Sequence, residues 1–220
     1  MPLRRRRLRG PRGFTIIELL VVVAVITLLV TILAPSLRQA RSLARRVNCA
    51  TVMREWCVAS LAYQSDYQLH LPGWVRSPFC PLTELIEAGR AHAGMLRCPE
   101  GWRSRSFSAS AYICYRGWRK TRDVEMPHQT LFIVEEDETS IDNEHWAVRR
   151  SGSPPMLEWW NMIAARHLPR GANLTFMDGH VEYWTWQDPK TGVFTGHYVY
   201  DPDNVDLDRL NRAQCPPYVP

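Results

Sequence analysis

The chain has 220 residues, 45% of them hydrophobic and nine of them tryptophan, which is typical of a packed domain with an appendage and excludes a disordered chain. Its formal net charge of +5 is concentrated at the start, where residues 1–13 hold six arginines and no acid. The remaining 21 basic residues face 22 acidic ones, so the basicity belongs to this leader and nucleic acid is not expected as a partner.

A long apolar run follows the arginines. Counting from Phe14, it has about 21 residues, enough to cross a hydrocarbon core of roughly 30 Å as a helix. The arginines before it indicate a cytoplasmic N-terminus, so the rest of the chain is expected outside the cytoplasm. A cleaved secretory signal peptide is the alternative interpretation, but the run is too long for one, and no small-x-small cleavage site follows it before Pro35.

One carboxylate, Glu18, stands within this apolar run. The stretch RGFTIIELLVVVAVITLLV, residues 12–30, resembles the class III signal of type IV pilins and type II secretion pseudopilins. The resemblance implies that a prepilin peptidase cuts after Gly13 and methylates the new N-terminus at Phe14. It also implies that Glu18 pairs with the terminal amine of a neighbouring subunit as helices bundle into a filament. The alternative is a glutamate that only reaches towards the lipid headgroups.

The helix is expected to continue beyond the membrane with an apolar face, because apolar residues recur at spacings of three, four and seven. The predicted buried stripe consists of Leu43, Val47, Ala50, Cys57 and Leu61. Four segments are therefore predicted along the chain. They are a cleaved basic leader (1–13), a transmembrane assembly helix (14–35), an amphipathic continuation (36–67) and a globular head (68–220).

Three short elements are predicted in the head. PLTELIEAGRA, residues 81–91, is typical of a short helix, and TLFIV, residues 130–134, of a buried strand. ANLTFMDGHVEYW, residues 172–184, predicts a hairpin, because its Asp-Gly pair suits a two-residue type I′ turn that would set Phe176 opposite Val181.

The hairpin also carries a second, shorter resemblance. Pilin-like proteins of planctomycete-type bacteria have an H-x9-DG segment near the C-terminus, and His167, Asp178 and Gly179 occupy those positions here. Ten residues separate the histidine from the aspartate instead of nine, which leaves their relation in space open. Together the two resemblances imply an α+β fold, in which a long N-terminal transmembrane helix packs on a small antiparallel β-sheet head.

Six cysteines occur without CxxC spacing, which argues against a zinc ribbon or a thioredoxin-like site. In an exported head some of them are candidates for disulfides, with free buried thiols as the alternative. The disulfide candidates are Cys80, Cys98, Cys114 and Cys215.

The segment DPDNVDLD is a candidate calcium loop, since some pseudopilin heads bind calcium near the C-terminus and carboxylates are ligands that calcium prefers. The candidate ligands are Asp201, Asp203, Asp206 and Asp208. The segment lacks the glycine and terminal glutamate of an EF-hand, so an uncoordinated acidic loop is the alternative. No cofactor is expected to be required.

No enzyme is expected, because the chain has no G-x-S-x-G, HExxH or glycine-rich phosphate loop. The resemblance implies a structural subunit of a type IV pilus or a type II secretion pseudopilus. Its partners would be the prepilin peptidase, an inner-membrane assembly platform and other pilin subunits. It would cross the inner membrane once, with a periplasmic head that later joins a periplasmic or cell-surface filament. The alternative is a minor tip pilin or a membrane-tethered module that binds glycan, protein or DNA.

Overall fold

The computed structural model describes residues 14–68, 71, 81–115, 120–151, 156–194 and 196–214. The helices are α1 (Ile16–Asp66), α2 (Pro81–Glu87), α3 (Ala111–Tyr115) and α4 (Val205–Gln214). The strands are β1 (Phe107–Ser110), β2 (Leu131–Glu135), β3 (His145–Trp146), β4 (Val148–Ser151), β5 (Met156–Asn161), β6 (Gly171–Phe176), β7 (Val181–Thr185) and β8 (His197–Tyr200). Short 3-10 turns occupy Ala93–Leu96 and Thr121–Asp123.

The first part of α1 is apolar and uncovered. Every residue from 14 to 33 is exposed, and the helix continues through Pro35 without interruption. By length and composition α1 can cross a membrane, and it is the one helix among the described residues that can. This agrees with the predicted apolar helix near the N-terminus.

The chain divides into two compact units inside α1, residues 1–41 and Ser42–Pro220. The second unit therefore includes the last 25 residues of the helix (42–66), whereas the predicted head began at residue 68. We call this second unit the head.

The predicted buried stripe of α1 is largely wrong. Leu43, Val47 and Leu61 are exposed, and the buried face instead carries Trp56 and Tyr63. The other buried residues of this face are Ser42, Cys49, Met53, Cys57, Ala59, Ser60 and Gln64. The helix has apolar residues on both sides, and covering the aromatic side removes more apolar surface from water.

Two sheets form the head. The larger has the order β3-β1-β2-β6-β7 and is antiparallel except for the parallel pair β1–β3. The smaller is antiparallel with the order β4-β5-β8. A long N-terminal helix followed by mainly antiparallel sheets confirms the predicted α+β class.

Two hydrophobic cores meet at the larger sheet. The first core joins the buried face of α1 to α2, β1 and β2, with Trp56 and Phe107 fully buried in it. The second joins β2, β6 and β7 to β3, β4, β5 and α4, and Trp146 and Trp159 are almost completely buried in it. Strands β2 and β6 are buried along their whole length because both of their faces are covered.

The predicted hairpin forms between β6 and β7, but its register differs by one residue. Val181 pairs with Thr175 and not with Phe176. Phe176 instead closes the turn, where its N–H donates to the carbonyl of His180 at 3.0 Å. Within this fully described turn only Gly179 has a positive φ (+91°), whereas a type I′ turn needs two such residues. The loop therefore has three residues, which avoids placing a residue with a Cβ at positive φ.

The other predicted elements of the head are present. Helix α2 lies within the predicted range 81–91, and β2 matches the predicted strand at 130–134 to within one residue.

Candidate functional site

Helix α1 begins with a reciprocal hydrogen-bonded cap. The Glu18 N–H donates to Thr15 Oγ1 at 3.3 Å, and the Thr15 N–H donates to Glu18 Oε2 at 2.9 Å. The Thr15 hydroxyl also donates to Oε2, at 2.8 Å. This is a capping box, in which the side chains of the N-cap and N3 residues satisfy two backbone donors that the helix leaves unpaired.

The capping box places the only acid of the apolar segment at its N-terminal end. Phe14, the predicted first residue of the mature chain, is the first described residue and is 71% exposed. Gly13, the predicted residue before the cut, lies outside the described residues. An apolar exposed helix with a carboxylate in its first turn can enter a membrane and still offer one negative charge near the membrane surface.

Comparison with known families bears on this segment. Residues 8–34 match the family model of the prokaryotic N-terminal methylation motif. The match supports a type IV pilin-like or pseudopilin subunit that is anchored in a membrane and processed by a prepilin peptidase. No curated protein and no solved structure matches the chain significantly.

A second site lies in the head, where four titratable side chains meet. Cys49 comes from α1, Cys98 from the loop after the first 3-10 turn, Glu135 from the end of β2 and His167 from the loop before β6. All four residues are fully buried. One ligand atom from each lies within 4.8 Å of the others. We call these residues the Cys-His-Glu cluster.

The cluster is held by short polar contacts. The Cys49 thiol donates to Glu135 Oε1 at 2.9 Å, and Cys98 Sγ lies 3.5 Å from His167 Nε2. The same nitrogen is 3.2 Å from Oε1 and 3.1 Å from Oε2 of Glu135. Three potential partners therefore surround a single imidazole nitrogen.

Further side chains surround the cluster. The amide of Asn173 donates to Glu135 Oε1 at 2.6 Å. Glu100 Oε2 lies 2.8 Å from His167 Nδ1, at ion-pair distance but outside hydrogen-bond geometry. Arg45 approaches the Glu100 carboxylate at 3.7 Å. The Arg46 guanidinium also lies over the Tyr183 ring at 4.2 Å, so both of these helix arginines contact side chains of the head outside α1.

The environment shifts the pKa of each group in the cluster. Burial lowers the pKa of His167, but Cys98 and Glu135 outweigh burial and raise it to about 10. Burial raises the pKa of Glu135, yet the hydrogen bond and charge of His167 hold it below its ordinary value. Contacts with Cys49 and His167 outweigh burial and lower the pKa of Cys98 to about 6, whereas burial raises the pKa of Cys49. Without a metal, these shifts favour an anionic Cys98 and Glu135 beside a cationic His167.

A carboxylate outside the cluster positions the loop that carries Cys98. Glu138 Oε2 accepts the backbone N–H of Trp102 and of Arg103, at 2.8 and 2.9 Å. Its Oε1 accepts the Ser106 hydroxyl at 2.6 Å and pairs with Arg166 at 3.4 Å. Glu138 therefore connects this loop to the residue next to His167.

The structure separates the residues of the H-x9-DG-like segment. His167 forms a β-bridge with Gly171, at the start of β6, whereas Asp178 comes after the end of that strand. The two residues therefore lie at opposite ends of β6, a strand that is about 17 Å long. Asp178 instead lies 2.5 Å from His180 Nδ1 and accepts the N–H of His180. His167, Asp178 and His180 do not form one cluster.

The cysteines whose side chains the structure describes are free thiols and form no disulfides. Cys98 is a free thiol that faces Cys49 and His167, and Cys49 and Cys57 are also free. Cys80 and Cys215 lie outside the described residues, as does the side chain of Cys114.

The four aspartates proposed for calcium do not converge. Asp201 Oδ1 pairs with Lys190 at 3.1 Å, and Asp206 accepts backbone N–H groups and the Thr191 hydroxyl. Asp208 pairs with Arg212 at 2.7 Å, and Asp203 is exposed. Asp201, Asp206 and Asp208 thus accept protein donors, and the one potential metal-ligand group in the described part of the chain is the Cys-His-Glu cluster.

Sequence reasoning missed this cluster, because its contacting pairs lie 32 to 86 residues apart and form no local motif. The sequence offered two local hints of a buried polar site. Glu135 comes directly after a run of apolar residues, and Cys98 follows a short turn. The capping box was readable in the sequence as T-x-x-E before an apolar run.

Proposed function

We propose that the protein is a structural subunit of a type IV pilus or a type II secretion pseudopilus, processed after Gly13 and assembled through α1. The observation that carries the proposal is the methylation motif on an uncovered apolar helix with Glu18 in its first turn. The helix is the assembly device, and the head is displayed without performing catalysis. The H-x9-DG-like segment supports a relation to the pilin-like proteins that carry it.

The chemistry of assembly follows from the position of Glu18. Processing after Gly13 creates an α-amino group on Phe14, cationic at neutral pH. A charge at the bilayer centre costs about 2.5–3.5 kcal/mol on insertion scales, and less near the interface. Pairing the carboxylate of one subunit with the amine of another offsets this cost when helices bundle. The capping box uses Oε2 of Glu18, and no donor within the described residues engages Oε1.

The proposal also places the protein in the cell. The leader would lie in the cytoplasm, α1 in the inner membrane and the head in the periplasm. An assembly platform in that membrane would then move the subunit into a periplasmic or cell-surface filament with other pilin subunits.

Substitutions at the cap separate charge pairing from helix capping. Glu18→Ala removes the cap and the charge, Glu18→Gln keeps an acceptor for the cap but removes the charge, and Thr15→Ala weakens the cap by about 1 kcal/mol while keeping the charge. We expect all three variants to be processed, and only Thr15→Ala to enter filaments. The measurements are the intact mass of the membrane-extracted chain and the subunit content of sheared or purified filaments.

Each result decides one part of the proposal. A wild-type mass that begins at N-methylated Phe14 supports maturation, and a chain that still begins at Met1 or is cut beyond Ala34 rejects it. Normal incorporation of Glu18→Gln would show that Glu18 acts only as a cap and would reject charge pairing.

A further inference from the structure

We propose that the Cys-His-Glu cluster binds one structural zinc ion in the head. Cys49, Cys98, Glu135 and His167 are all fully buried, and one ligand atom of each lies within 4.8 Å of the others. This site goes beyond the filament function and does not depend on it.

The distances in the cluster fit tetrahedral zinc. With Zn–S of about 2.3 Å and Zn–N or Zn–O of about 2.0–2.2 Å, neighbouring ligand atoms lie roughly 3.4–3.8 Å apart. Cys98 Sγ and His167 Nε2 are separated by 3.5 Å, and His167 Nε2 and Glu135 Oε2 by 3.1 Å. Cys49 Sγ lies 2.9 Å from Glu135 Oε1. All other pairs of ligand atoms are within 4.8 Å, so side-chain shifts of up to about 1 Å would bring the four atoms to coordination distance.

The surroundings of His167 Nε2 favour a positive charge in the middle of the cluster. Three electron-rich atoms, Cys98 Sγ and both oxygens of Glu135, face this nitrogen at 3.1–3.5 Å. In the metal-free chain a proton on Nε2 lies between these atoms, and a zinc ion would replace that proton. Glu100 beside Nδ1 favours a hydrogen on that second nitrogen, which leaves the Nε2 lone pair to coordinate the ion.

One buried oxygen of the cluster makes no hydrogen bond. Glu135 Oε2 is fully buried, and its near partner among the described residues, His167 Nε2 at 3.1 Å, lies outside hydrogen-bond geometry. An unpaired buried carboxylate oxygen is costly, because burial removes its water without replacing it. A zinc ion would supply the missing partner.

The chemistry of the donors selects the metal. Two thiolates and an imidazole favour a borderline-soft ion over calcium or magnesium, which take oxygen ligands. Four protein ligands close the tetrahedron and leave no position for water, which is the pattern of structural zinc sites. With two thiolates, one carboxylate and Zn²⁺, the filled site carries one net negative charge. The positive charge of Arg166, which favours the ionised form of Glu135, partly compensates it.

Surrounding groups are placed to orient the ligands. Glu100 lies beside the second ring nitrogen of His167, and the amide of Asn173 donates to Glu135. Zinc ligands in proteins commonly have such partners just outside the coordination sphere. Glu138 holds the loop of Cys98 beside Arg166. The ion would join α1, this loop, β2 and the segment before β6 at one point in the first core.

The test is metal content of the detergent-solubilised full chain. We expect one zinc per chain by inductively coupled plasma mass spectrometry after dialysis against metal-free buffer. Cys98→Ser and His167→Gln should lose the zinc, and Cys57→Ser, a buried thiol of the same helix outside the cluster, should keep it. Glu100→Gln should keep the stoichiometry but weaken zinc affinity about 10- to 100-fold, measured by competition with a chromophoric chelator.

A second measurement on the unchanged chain covers the case in which variants do not fold. Exchange of the bound metal for Co²⁺ should produce thiolate-to-cobalt charge-transfer absorption and the visible bands of tetrahedral cobalt. Absence of zinc together with absence of these bands would overturn the proposal. So would alkylation and mass spectrometry that show Cys49 and Cys98 joined in a disulfide.

Discussion

At Gly101, a missing side chain makes room for a carboxylate. A Cβ built at this position would overlap Glu138 Oε1 and the Ser106 hydroxyl. These two atoms form a hydrogen bond with each other, and the other oxygen of the same carboxylate accepts the N–H groups of the two residues after Gly101. The glycine is therefore required by close approach, not by its backbone angles. At Gly89 the reverse holds, since φ is +67° and a Cβ would meet open space.

These two glycines give a matched pair of substitutions. Gly101→Ala should lower the free energy of unfolding by about 1–3 kcal/mol, as overpacking does in cores. Gly89→Ala should cost about 1 kcal/mol, from positive φ alone. Denaturant unfolding of the solubilised chain, followed by tryptophan fluorescence, measures both. Equal stability of Gly101→Ala and the unchanged chain would show that the loop moves to accept the methyl group.

Among the elements, α4 depends on its cap as much as on its apolar face. Leu207 and Leu210 bury that face in the second core. Asn204 Oδ1 accepts the N–H of Asp206 and of Leu207, both at 3.0 Å, while its Nδ2 donates to Asp201 Oδ2 at 2.8 Å. The acidic segment that suggested calcium is thus the start of a capped helix, and its carboxylates accept protein donors.

We expect Asn204→Ala to destabilise the head by about 1–2 kcal/mol, because the cap is lost. Asn204→Asp should not restore stability, although aspartate is a good cap, because it would place a third carboxylate beside Asp201 and Asp206. Val205→Ala, at an exposed position in the first turn, is the control and should stay within about 0.5 kcal/mol. Thermal and denaturant unfolding measure the series, and full rescue by aspartate would contradict this account of the site.

For the whole molecule, the division inside α1 decides what can fold alone. The head includes residues 42–66 of the helix, whose buried face fills the first core with Met53, Trp56 and Tyr63. Removing a single buried tryptophan side chain costs about 3–5 kcal/mol, a large part of a domain stability of about 5–15 kcal/mol. The second part of the helix is thus a component of the head, whereas the uncovered first part is long and apolar enough to cross a membrane.

Two truncations test this division. A chain that begins at Ser42 should be soluble and unfold cooperatively, because it keeps the whole of the first core. A chain that begins at Gln68 should lack cooperative unfolding, because the core loses the side of α1 that covers it. Size-exclusion chromatography and circular dichroism with thermal melts distinguish the two. Cooperative folding of the Gln68 chain would show that the sheets and α4 suffice.

Features that depend only on neighbouring residues were predictable from the sequence. The apolar helix, its first-turn glutamate, α2, β2 and the existence of the β6–β7 hairpin follow from local composition, spacing and turn residues. Which face of α1 is covered depends on tertiary packing, because both faces carry apolar residues and the aromatic one packs against the sheet. The hairpin register could not be predicted either, because a single positive φ at Gly179 shifts it by one residue. The Cys-His-Glu cluster also depends on tertiary structure, because four segments that are distant in the sequence meet there and no local spacing predicts that they do.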